Sequence, residues 1–266
     1  MPASSAPLRG LARRLAPLLG AAAEALYPPV CIACRAETAT PHGLCGDCFR
    51  EAWFIDSPLC DRCGAPLHGA TDAPFCDHCL GVDFAFGRAR AAMAYEGVGR
   101  RLALQLKHGD RLELAQPLGR WMARAGRPLL READLIVPVP LHWTRLLRRR
   151  SNQAAELARR VSALTGVPVA PDLMRRVRRT PPQKGLGREE RRANLAGAFA
   201  VRPGREPAGL RVLLVDDVFT TGATLSACAA VLRDAGAAGV DALCLARVAS
   251  EPKLSIFTGF NPGEDP

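Results

Sequence analysis

Aromatic residues are scarce: Phe, Trp and Tyr make up 5% of the 266 residues. So few rings argue against a platform on which successive bases of a single strand stack. Lysine is almost missing. Only Lys107, Lys184 and Lys253 occur, so arginine carries the basic surplus, and its planar fork favours paired contacts with phosphate oxygens. Long apolar runs are also missing. The nearest approach, Leu15 to Leu26 after Arg13-Arg14, is broken by Pro17 and Glu24. It is too short to span a bilayer and is read as a short amphipathic helix rather than an export signal, which excludes stable membrane insertion. No His-x-Glu precedes a Pro-Cys-x-x-Cys, which excludes the zinc deaminases.

What is present points elsewhere. Apolar residues reach 48%, enough for one real core, and the formal net charge is +10. A basic surplus suits nucleic acid, a membrane surface or a polyanionic small substrate, and does not choose among them. Ten cysteines occur, eight of them in four Cys-x-x-Cys doublets: Cys31/Cys34, Cys45/Cys48, Cys60/Cys63 and Cys76/Cys79. The gaps between doublets are ten, eleven and twelve residues. Each doublet presents two thiolates to one tetrahedral ion, so eight thiolates suit two zinc ions with no coordination position left for catalysis. Sequential pairing of doublets is favoured, and crossed pairing stays open. The intervening segment has little apolar content, so metal is expected to supply its fold. A disulfide framework is the rival reading; a phosphate motif further along favours metal in a reducing compartment. Cys228 and Cys244 sit among apolar neighbours and read as small core residues.

The strongest motif is Val212-Leu-Leu-Val-Asp-Asp-Val-Phe-Thr-Thr-Gly-Ala-Thr-Leu225. A buried strand ends in two acids, a short loop follows, and a helix begins. The loop's N–H groups and the helix start form a nest for an anion. Gly222 permits the turn and the close approach. Thr220, Thr221 and Thr224 add hydroxyls, and Ala223 adds its amide. Asp216 and Asp217 would repel a phosphate, so they are placed to accept hydrogen bonds from neighbouring neutral hydroxyls, as on a ribose. Elsewhere the pattern alternates strands (88–95, 135–137, 210–215, 240–246) with helices (97–107, 112–124, 152–164, 224–235), with a short strand at 167–170. That alternation implies an α/β fold, a parallel sheet with helices on both faces. The polar, basic stretch 175–194, broken by Pro and Gly, reads as a long functional loop.

The 212–225 string resembles the motif of type I phosphoribosyltransferases that binds 5-phosphoribosyl-1-pyrophosphate (PRPP). The resemblance implies that Asp216 and Asp217 meet the ribose 2′ and 3′ hydroxyls, that 220–224 holds the 5′-phosphate, and that Mg2+ accompanies PRPP. The order of further segments narrows the resemblance to the ComF family. These segments are Leu106-Lys107 with Arg111; Val139-Pro140-Leu141; Arg149, Asn152 and Gln153; and a hood-loop pattern of Arg179-Thr180, Gln183, Leu186, Arg191, Asn194 and Ala198-Phe199. Arg150-Ser151 departs from the Gly-Phe usual in that family. Lys107 and Arg149 are accordingly candidate PRPP ligands, with the arginines at 145, 148 and 150 near the pyrophosphate.

Four parts are expected: an amphipathic helix at 1–28, a double zinc-ribbon module at 29–82, a phosphoribosyltransferase-like domain at 83–249, and a disordered tail at 250–266. Two functions follow from the resemblance. One is phosphoribosyl transfer with release of pyrophosphate, Asp216 and Asp217 stabilising the cationic ribosyl centre and the loop at 178–192 closing over it. The other is a non-catalytic factor in DNA uptake that binds single-stranded DNA and uses PRPP as a regulatory ligand. Either would place the protein in the cytoplasm.

Overall fold

The computed structural model describes residues 28–67, 74–108, 111–142, 151–178 and 194–248. The expected N-terminal helix, the basic run 143–150, most of the hood loop and the tail lie outside these residues. Four strands form one parallel sheet: β1 (Ala89–Ala94), β2 (Leu135–Pro138), β5 (Arg211–Phe219) and β6 (Gly239–Arg247), in the order β1-β6-β5-β2. A small antiparallel pair, β3 (Met174–Arg176) and β4 (Phe199–Val201), stands apart. Four longer helices pack on the parallel sheet: α1 (Gly97–His108), α2 (Ala115–Ala125), α3 (Gln153–Thr165) and α4 (Ala223–Asp234).

The near-continuous apolar run of β5 has a physical reason. Both faces of a parallel sheet are covered, so alternate side chains enter different cores. Leu213 and Val215 join Leu118, Met122, Leu157 and Val161 on the α2/α3 side. Val212 and Leu214 join Leu225, Cys228 and Leu232 on the α4 side. Cys228 and Cys244 are fully buried, as their apolar neighbours suggested. The fold is thus the expected α/β sheet with helices on both faces, preceded by two cysteine clusters.

Three details differ from the sequence reading. β5 does not stop at the two acids but runs through them to Phe219, because Asp216, Val218 and Phe219 still pair with Cys244, Ala246 and Arg247 of β6. The 167–170 stretch makes only an isolated parallel bridge, Val169 to Ile136. The segment taken as loop from 175 begins as β3, whose pairing with β4 comes from backbone hydrogen bonds that its polar, arginine-rich composition conceals.

The two cysteine segments are structural repeats. In each, the first cysteine's N–H closes a turn (Cys31 onto Ala36, Cys60 onto Ala65), and flanking residues form an antiparallel bridge (Val30 to Glu37, Leu59 to Pro66). Arg35 and Gly64 hold equivalent left-handed positions, at φ 67° and 65°. In each, the third cysteine precedes a short helix, Gly46–Glu51 or Asp77–Leu80. The first repeat docks on α1 and the turn after it: Gln105 Nε2 donates to Ala33 O (2.9 Å) and Arg111 Nη1, beyond the helix, to Ile32 O (3.2 Å). The second docks on the sheet edge, where Ala89 N donates to Arg62 O at 2.7 Å.

Candidate ligand-binding site and metal centres

The carboxyl ends of β5 and β2 and the starts of α3 and α4 surround a cleft of about 280 Å³. Lys107, Asp216, Asp217, Thr220 and Thr224 line it, together with Val139, Pro140, Leu141, Asn152 and Gln153. Open α/β sheets bind ligands at this end. Tyr95 and Arg176 line it too. Sequence reasoning missed both, since Tyr95 follows a strand end without a motif and Arg176 was submerged in a basic stretch.

The acids are held in place. Asp217 N donates to Asp216 Oδ1 at 2.8 Å, and Lys107 Nζ pairs with Asp217 Oδ2 at 2.9 Å. Burial, and then the neighbouring Asp217 charge, push Asp216 up to about 8 from an ordinary 3.8. Its neutral form is therefore favoured in the folded chain. The corresponding stability is fully present below about pH 4 and is lost as pH rises through about 8. We expect Asp216→Asn, without ligand, to raise the melting temperature at pH 8 and to change it little at pH 4; equal shifts at both values would contradict this assignment of the proton.

Beyond Phe219 the chain turns through the 220–224 loop into α4. Gly222 adopts φ 77° and precedes the first turn of α4. A Cβ there would stand 2.7 Å from Phe84 Cε1 and 3.0 Å from Phe219 Cζ. Two effects thus oppose any larger residue: left-handed strain of about 1–2 kcal/mol and overpacking of about 1–3 kcal/mol. Gly222→Ala should lower the melting temperature by roughly 5 °C or more; an unchanged transition would show that the loop tolerates a side chain. The Thr221 hydroxyl is buried with no hydrogen-bond partner, and Thr221, Gly222 and Ala223 are not among the residues that line the cleft, whereas Thr220 and Thr224 are.

Asn152 and Gln153, singled out by motif, line the rim, and Asn152 also holds the local structure. Asn152 caps α3 through Ala154 N (3.1 Å) and its Nδ2 donates to Val139 O (3.1 Å), so it ties the helix start to the end of β2. Arg111 belongs to the ribbon interface rather than the cleft. Of the hood-loop residues, Asn194 is described, and its carbonyl accepts from Arg178 Nη2 at 2.9 Å. Arg149, Gln183 and Arg191 lie outside the described residues.

The eight cysteines form two groups, Cys31/Cys34/Cys45/Cys48 and Cys60/Cys63/Cys76/Cys79, with the sulfurs of each group within 4.8 Å of one another. The sequential arrangement of doublets is thus the one the fold brings together. Across doublets, Cys34 and Cys45 sulfurs lie 3.6 Å apart and those of Cys63 and Cys76 3.5 Å. Tetrahedral zinc with Zn–S of about 2.3 Å puts its sulfurs about 3.8 Å apart, so the donor sets fit the ion. One thiol of each group is primed for deprotonation. Burial raises Cys31, but backbone N–H groups of Cys34, Cys45 and Ala33 outweigh it and bring it to about 6. Cys60 falls to about 7 in the same way, through the amides of Cys63, Cys76 and Arg62. All four donors in each group are sulfur, so both sites are structural.

This combination defines a phosphoribosyltransferase-type sheet preceded by a double zinc ribbon. Residues 22–80 match the double zinc ribbon domain and residues 123–261 the phosphoribosyl transferase domain. The chain belongs to the family of Competence protein F and the DNA utilization proteins. It is 32% identical over 224 residues to Competence protein F of Haemophilus influenzae, covering 82% of this chain and 96% of that one. It is 35% identical over 229 residues to DNA utilization protein YhgH of Salmonella typhi, covering 83% and 97%. Among solved structures, it is similar to the glutamine PRPP amidotransferase of B. subtilis complexed with ADP and GMP. That likeness has a TM-score of 0.37 at 20% identity and covers 53% of this chain and 30% of that one. Among the described residues, no helix is long and apolar enough to cross a membrane.

Proposed function

We propose that the chain binds PRPP with Mg2+ in the cleft at the end of β5 and transfers its phosphoribosyl group, releasing pyrophosphate. The observation that carries this reading is the sequence of two acids, a loop and a helix start along one backbone segment, Asp216 to Thr224, of which Asp216, Asp217, Thr220 and Thr224 line one cleft. A sugar phosphate has neutral hydroxyls beside a dianion, and the segment offers acceptors beside donors in that order. In this reading the amides of 220–224 hold the 5′-phosphate. Asp216 and Asp217 accept from the ribose hydroxyls. Lys107 leaves Asp217 to meet pyrophosphate oxygens, with Arg149 as a second cation for them. Magnesium would neutralise part of the pyrophosphate charge. As the bond to pyrophosphate breaks, the ribosyl carbon becomes cationic, and the Asp217 carboxylate, joined by Asp216 once it has given up its proton, lowers the barrier electrostatically. The hood residues Gln183, Arg191 and Asn194 are assigned to cover the site.

Eight reduced thiols need a reducing compartment, which supports a cytoplasmic location. The organisation into parts at 1–28, 29–82, 83–249 and 250–266 is retained as our division of the chain.

The relatives' names speak of competence and DNA utilization, which favours a second reading, in which PRPP is the regulatory ligand of a protein that binds single-stranded DNA and works with the DNA-uptake machinery. A pyrophosphate-release screen across nucleobase and amine acceptors separates the two. Acceptor-dependent release supports transfer. Its absence, with salt-dependent binding of single strands in the presence of PRPP, supports the second.

A further inference from the structure

The anion nest and the second cysteine cluster are joined by a buried arginine. Arg247 is the last residue of β6 and is 2% exposed. Its Nη1 donates to the carbonyl of Cys63 at 2.9 Å. Its guanidinium carbon lies 4.6 Å from the ring centroid of Phe219, the residue that leads into Thr220. Around it, Phe84 stacks on Phe86 at 4.6 Å and meets Phe219 edge-on at 6.2 Å. His78, between Cys76 and Cys79, lies 6.2 Å from Phe84. Phe84 and Phe219 are the two side chains nearest the missing Cβ of Gly222. The knuckle bearing Cys60 and Cys63 is pressed onto the sheet, for a Cβ on Gly64 would stand 2.5 Å from Ala89 O. The first cluster packs into the core on the other face of the sheet, against α1.

A buried guanidinium requires fixed acceptors, and the Cys63 carbonyl is one that holds it. A metal ion on Cys60 and Cys63 would fix the knuckle that carries that carbonyl. The guanidinium in turn fixes the ring from which the nest departs.

We propose that Arg247 is a positioning residue that couples metal occupancy of the second cluster, and not of the first, to the order of the 220–224 nest. The protein therefore holds its anionic ligand well only with that cluster loaded. The identity of the ligand rests on the phosphoribosyl reading above; the mechanical link does not.

Hydrogen exchange on the unliganded protein tests the link. Arg247→Met keeps the length of the side chain but cannot donate to Cys63. It should speed exchange of the 220–224 amides at least 10-fold, while residues 31–48 and β2 stay as in the wild type. Arg247→Lys, which keeps one donor, should recover part of the protection. Equal protection of 220–224 in all three proteins overturns the proposal. Because a variant may fail to fold, the wild type is also titrated with a chelator. Protection at 220–224 should then fall together with that at 60–79 and independently of 31–48; a nest that stays protected after the second zinc has gone overturns the proposal. PRPP–Mg2+ calorimetry on the same samples keeps the two ideas apart. No heat from intact protein removes the ligand assignment and leaves the link to the exchange result. Undiminished heat after loss of the second zinc removes the link.

Discussion

Replacing both acids, Asp216→Ala with Asp217→Ala, is expected to weaken PRPP binding by about 100-fold while leaving the zinc content at two ions per chain. A hydrogen bond to the charged Asp217 contributes about 1.5–3 kcal/mol and one to the neutral Asp216 about 0.5–1.5 kcal/mol, and both are removed. Part of the loss is offset, because Lys107 pairs with Asp217 at 2.9 Å and in the variant its charge is free to attract the ligand's phosphate oxygens. Any residual affinity should therefore fall steeply with salt, as expected for an anion held by charge and amides alone. Calorimetry gives the affinity and metal analysis the zinc. The two cysteine clusters dock on α1 and β1, away from the acids, so loss of zinc would mean that the variant had lost more than its ribose contacts.

The second large effect concerns the metal. The protein as isolated under reducing conditions should carry two zinc ions, and stripping both should unfold the ribbon module. The apolar side chains that help bury it belong to other elements, with the clusters lying against Val98 and Leu102 of α1 on one side and Phe84 and Phe86 on the other. Metal therefore supplies what the segment cannot, and zinc sites of this kind contribute about 10–16 kcal/mol near neutral pH. A Cys79→Ser variant should retain one ion per chain and a Cys48→Ser variant likewise, each losing the ion of its own cluster. Two ions lost in either case would contradict independent sites. A module that stays folded without metal, but not in the presence of reductant, would restore the disulfide explanation.

How much of this was legible in the sequence varies by residue, for identifiable reasons. The strand–loop–helix course through Asp216–Thr224 was legible because it is local: an apolar run, a glycine turn and a helix start follow one another without a long-range partner. The cysteine doublets were legible as ligands because four of them repeat at similar gaps, but their grouping depends on which knuckles the fold apposes. The apolar runs 135–137, 210–215 and 240–246 announced a parallel sheet through composition alone. What was hidden depends on register or distant contacts. The extension of β5 through Asp216 and Asp217 follows from pairing with β6, which no acidic pair advertises. The Lys107–Asp217 contact joins α1 to β5 across the chain. Nothing in the sequence around Arg247 marks it as buried; the carbonyl of Cys63 and the ring of Phe219, which hold it, come from distant parts of the chain. Arg176 and Tyr95 reach the cleft through β3 and the end of β1, positions that composition does not mark.

The central claim is that one backbone segment recognises both halves of a sugar phosphate. Titration of the zinc-loaded protein with PRPP and Mg2+ in a calorimeter tests it most directly. The account predicts saturable binding at one site per chain, with ribose 5-phosphate competing and 2,3-dideoxyribose 5-phosphate competing at least about 10-fold less well, since it lacks the hydroxyls that would meet the two acids. Absence of heat with PRPP, or equal competition by the two ribose phosphates, would contradict it.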